Sequence, residues 1–77
     1  MQNEKTIADL MLHETAIISE HQNESLPLKL IQMGCTSNTQ IQVSLIAPAL
    51  DPICIQFIGN SIALRRHEAK KIRVHTG

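Results

Sequence analysis

Three stretches in the second half of the chain alternate apolar and polar residues with a period of two. Ile41, Val43 and Leu45 stand against Gln42 and Ser44; Ile53, Ile55 and Phe57 stand against Cys54 and Gln56; Ile62 and Leu64 stand against Ala63 and Arg65. Successive strand side chains point to opposite faces, so each stretch predicts a strand with its first set turned inward. Ile72 and Val74, alternating with Arg73 and His75, predict a last strand. The run Ala16-Ile17-Ile18-Ser19-Glu20, within 15–21, predicts the first. Gly59-Asn60 is a two-residue hairpin signal, because glycine takes positive φ without steric cost. Ala47-Pro48-Ala49-Leu50-Asp51-Pro52 interrupts the ladder, since proline has no N–H to donate.

Helical spacing is confined to short pieces. Thr6-Ile7-Ala8-Asp9 has the Thr-x-x-acid pattern of a helix start and predicts a turn near 7–10. His21 to Ser25 is polar and reads as a loop, with Ser25 as a cap for the next segment. Pro27 is tolerated in a first helical turn, and Leu26, Leu30 and Met33 then share one helical face, placed in the core. This predicts a helix over 26–33, ended by Gly34 in the left-handed conformation. A last helical turn over 66–70 would bury Ala69. Five short strands with so small an interior are expected to close into a barrel, which removes exposed edges.

Composition sharpens this picture. The 77 residues allow one domain, taken as 1–77. Hydrophobic residues make up 43%, but Phe57 is the one aromatic, so the core is built from Ile, Leu and Val, which favour strands. Seven basic and seven acidic residues balance. The distribution is uneven: Met1 to Glu24 carries five acids against Lys5, and Arg65 to Gly77 carries five bases against Glu68. Either the two ends adjoin and compensate, or the basic end forms a face for an acidic partner. The polar start shows no leader sequence and no apolar run spans a bilayer, which predicts a cytoplasmic protein. Cys35 and Cys54 are expected as unpaired thiols.

Candidate chemistry is sparse. His13, His21, His67, His75, Cys35 and Cys54 include no Cys-x-x-Cys or His-x-x-x-His pair, so no metal site is predicted. No nucleophile elbow, phosphate loop or paired-carboxylate pocket stands out, and neither enzyme activity nor a cofactor is expected. Cys54 is expected at an outward or half-buried strand position. Small barrels bind single-stranded nucleic acid by stacking bases on exposed rings, and Phe57 sits on the inward face, so no nucleic acid is expected. The alternative, a small basic-faced nucleic-acid-binding or regulatory barrel, rests on Arg65, Arg66, Lys70, Lys71 and Arg73. Leu50, on a proline-bounded loop, is either a contact residue or a lid on the barrel end; Arg65, Arg66 and Lys70 would form its polar rim.

Taken in order, several pieces resemble the FeoA family. These are Leu30-Ile31-Gln32-Met33-Gly34, Ala47-Pro48, Asp51-Pro52-Ile53, Gly59, Ile62-Ala63-Leu64-Arg65, Glu68-Ala69 and Ile72-Arg73-Val74. The resemblance runs from about Ile7 to His75. It implies an SH3-like barrel, a non-catalytic accessory of ferrous iron uptake that docks on the cytoplasmic GTP-binding part of a FeoB-type membrane transporter. Any membrane contact would then come through that partner, and an exposed edge strand would allow weak homo-oligomers. Glu14, Asn38 and Leu50 stand where the family commonly has glycine, and Cys35 where it has an aliphatic residue. Asn tolerates the left-handed region, so the turn at Asn38 should survive.

Overall fold

A computed structural model describes residues 5–19 and 26–76. Six strands form one sheet: β1 (Lys5–Thr6), β2 (Thr15–Ile18), β3 (Gln40–Ile46), β4 (Ile53–Phe57), β5 (Asn60–Leu64) and β6 (Arg73–His75). Two short helices, α1 (Leu28–Gln32) and α2 (Arg66–Ala69), and two 3-10 turns, Ile7–Asp9 and Pro48–Leu50, complete it. All pairings are antiparallel, in the order β1-β6-β2-β3-β4-β5. Glu20 and His21, which the hydropathy pattern assigns to the first strand, lie outside the described residues, as do the loop through Ser25 and its cap.

The inward set is the expected one. Ile41, Val43, Ile53, Ile55, Phe57, Leu64, Ile72 and Val74 are buried, joined by Ile7, Leu26, Leu30 and Ala69 from the turns and helices in one cluster. The sheet thus wraps around a single aliphatic interior, and helical pieces cover what the strands leave open. The fold class stands; two details of the expectation do not. A sixth strand is present, because Lys5 and Thr6 pair with Val74 and Arg73. Two residues are too few to show alternation. The ladder is also linear rather than circular, ending at β1 and β5.

Leu45 is a further correction: it is 53% exposed rather than turned inward. The register runs Val43↔Ile55 and then Leu45↔Cys54, so β3 carries one extra residue against β4. Such a bulge breaks the period-two rule, and residues beyond it change face. Met33, expected in the core, is also exposed. The helix ends at Gln32, and Cys35 takes the buried place instead. The Cys35 N–H donates to the Leu30 carbonyl at 2.8 Å and the Gly34 N–H to Ile31 at 3.1 Å. That is a Schellman closure, with Gly34 at the predicted positive φ of 87°. Asn38 holds positive φ as foreseen. Before β2 the left-handed residue is His13 rather than Glu14, whose carboxylate instead accepts the Met11 N–H at 2.9 Å.

The hairpin turn is shifted by one residue. Phe57 pairs with Asn60, so Ile58 and Gly59 form the turn, at φ 44° and 76°. Two rows cross the outer face of the sheet as a result of these registers. Thr15↔Gln42↔Gln56↔Ser61 is a polar, uncharged row across β2, β3, β4 and β5. Leu45↔Cys54↔Ala63 is an apolar row at the other end, next to the Pro48–Leu50 turn.

Candidate functional site

The 47–52 corner leaves Leu50 half in solvent and half covered. The turn closes on itself through Leu50 N–H to the Ala47 carbonyl at 2.9 Å and Ala47 N–H to the Pro52 carbonyl at 3.1 Å. Ala49 and Leu50 both take φ of 65°, where glycine is favoured, and the Asp51-Pro52 peptide is cis. This conformation leaves Leu50 51% exposed. The glycine-like character of its position, expected from the sequence, is thus a real backbone demand.

Asp51 fixes the corner to the next element. Its Oδ1 accepts the Arg66 N–H at 3.0 Å, capping the start of α2, and its Oδ2 lies 3.8 Å from the Arg65 guanidinium. Glu68 completes the cap, accepting the Arg65 N–H at 2.9 Å and the Lys29 ammonium at 3.0 Å. The Arg65 N–H, then the Lys29 side chain, hold the Glu68 carboxyl below its ordinary 4.5. An acid near a helix N-terminus satisfies N–H groups that lack intrahelical partners.

Asp51 thus brings the 47–52 corner beside Arg65 and Arg66, and Lys70 stands one helical turn beyond Arg66 on the same side of α2. Sequence reasoning missed the role of Asp51 and the outward turn of Leu45, while Ala63 lies outward as its alternation requires. The signal for Asp51 was an acceptor side chain just before proline in a turn. The exposure of Leu45 depends on a bulge between β3 and β4 that no local pattern announces, whereas the place of Ala63 beside Cys54 comes from the β4–β5 register. Leu45 and Ala63 flank Cys54 in one row on the outer face.

Among the described residues, no group of three or more His, Cys, Asp or Glu side chains is gathered for a metal ion. His21 lies outside them. Cys35 and Cys54 are unpaired, Cys35 buried and Cys54 partly so. Phe57, the single ring, is 3% exposed and so presents no stacking surface. Among the acids of the first segment, Asp9 accepts from Thr6 at 2.9 Å and Glu14 pairs with Lys5 at 3.5 Å. The pairing of β1 with β6 brings Lys5 and Thr6 beside Val74 and Arg73. No described helix is long and apolar enough to cross a membrane.

Residues 5–76 match the FeoA domain family. The chain belongs to the FeoA family. It is similar to a crystallised iron uptake regulatory protein (FeoA), with 25% identity and a TM-score of 0.77 over 95% of this chain and 96% of that one. The FeoA-like protein from Clostridium acetobutylicum is 26% identical, with a TM-score of 0.77 over 99% and 90%. FeoA of Stenotrophomonas maltophilia, an SH3 domain protein solved with zinc, is 25% identical, with a TM-score of 0.70 over 91% and 88%. No curated protein matches the chain significantly. The fold is accordingly SH3-like, and the family is one of ferrous-iron-transport-associated proteins.

Proposed function

We propose that this FeoA protein is a cytoplasmic, non-catalytic accessory of ferrous iron uptake that docks on the GTP-binding part of a FeoB-type transporter. The observation that carries the reading is Leu50, held half-exposed by a left-handed turn that Asp51 ties to α2. An apolar residue kept out at a backbone cost, next to an Asp51 that bonds the Arg66 N–H and lies 3.8 Å from the Arg65 guanidinium, has the make-up of a contact centre. The S. maltophilia relative, put forward as a ferrous iron transport activating factor, supports the same role. The uncharged interior of aliphatic side chains leaves the outer surface as the place where work is done.

Leu50→Asp tests this. The variant should fold, because the side chain is half in solvent, and should bind the isolated GTP-binding domain at least about tenfold more weakly, the loss of one contact centre. Pull-down or calorimetry reads the binding, and ferrous iron uptake in cells reads the consequence. A folded variant with unchanged binding and uptake removes Leu50 from the interface.

A further inference from the structure

The opposite end of the sheet carries a second, chemically different surface. An open groove of about 510 Å³ lies at the β4–β5 hairpin, among Gln40, Gln42, Gln56, Ser61 and the turn residue Ile58. That volume is within the range of ligand sites. None of its ten lining residues carries a charge. The register row Thr15–Gln42–Gln56–Ser61 crosses four strands, which at about 4.8 Å per strand spans roughly 14 Å.

Three features narrow the occupant. Carboxamide and hydroxyl side chains offer both donors and acceptors, as a peptide main chain does, and select against an ion that would lose its water unpaired. Four extended residues, at about 3.3 Å each, match the row. A nucleobase, or a proline-rich helix, asks for exposed rings, and Phe57 is buried. Gln42 is already oriented, its Nε2 donating to the His13 carbonyl at 3.0 Å.

Ile58 stands at the edge of this groove, 78% exposed and at φ 44°. A β-branched residue in that region is a genuine outlier, and an asparagine or glycine would make the same turn without strain. We infer that the groove is a peptide-binding site for an extended, uncharged segment of a partner protein, gripped through its main-chain amides by the polar row and flanked by Ile58. This surface does not depend on the docking corner at Leu50.

The test uses the 77-residue protein against an array of random decapeptides, with nuclear magnetic resonance mapping of one selected peptide. Selected sequences should be depleted in Asp, Glu, Lys and Arg, and the peptide should shift the amides of Gln42, Gln56, Ile58 and Ser61. Gln56→Glu, at an exposed position, should keep the fold by thermal melting and weaken that peptide at least tenfold. Ile58→Gly should weaken it while leaving the melt unchanged or higher. Selection of charged sequences, shifts centred on Leu50 to Arg66, or no selection above background would overturn the inference.

Discussion

Both ends of the outer sheet face hold a large aliphatic residue out in solvent at positive φ, yet they are built differently. At the 47–52 corner Leu50 is anchored: Asp51 bonds the start of α2 and lies beside the Arg65 guanidinium, and Glu68 closes the cap. At the 58–59 hairpin Ile58 sits on a bare two-residue turn beside a polar, uncharged row. The difference teaches that the two surfaces suit two kinds of ligand. One fits an apolar patch with acidic surroundings, the other a neutral main chain.

Crossing the two readouts should give the largest effect. Leu50→Asp is expected to weaken binding of the GTP-binding domain at least about tenfold and leave peptide selection at the groove unchanged, whereas Ile58→Gly weakens the peptide and leaves that domain's binding unchanged. If either variant disturbs both, the two ends are one surface. Next in size is the anchoring itself. Asp51→Ala removes a helix cap and should cost about 1–2 kcal/mol, while Asn60→Ala at the other end should stay within about 0.5 kcal/mol. Chemical denaturation measures both.

Relief of strain should be smaller and of opposite sign. A left-handed aliphatic residue costs about 1–2 kcal/mol and glycine's added freedom returns about 0.5–1 kcal/mol of that, so Ile58→Gly should raise the melting temperature by roughly 3–6 °C. Leu50→Gly should gain nothing, because its buried half is lost with the side chain. The smallest effect concerns acid. The Glu68 carboxyl is lowered in the folded state, so its contribution is present at neutral pH and fades as pH falls through its ordinary 4.5 toward the lowered value. Acid should therefore loosen the corner and not the groove, whose lining does not titrate. Glu68→Gln should flatten that part of the melting profile against pH.

The core was largely legible in the sequence; the ties of the corner and the groove were not. Alternation alone placed Ile53, Ile55 and Phe57 inside, because on a regular strand facing is a local property. Thr6, Asp9 and Gly34 were legible for the same reason, since each acts within a few residues of itself; the turn at Asn38 was legible only through the family resemblance. Leu45 failed because a bulge shifts phase, and Lys5–Thr6 because two residues hold no period. The row from Thr15 to Ser61 joins four strands whose relative registers come only from folding. Asp51 was seen as the residue before a proline, but its bond to Arg66 spans fifteen positions of chain.

The two thiols lend themselves to a practical use. Burial pushes the Cys35 thiol up to about 11, so at neutral pH it stays protonated and unreactive. Cys54 lies in the row between Leu45 and Ala63, under the proposed transporter contact. Maleimide labelling should therefore fall on one native position, and protection of Cys54 from labelling on docking would follow the interaction without an engineered cysteine.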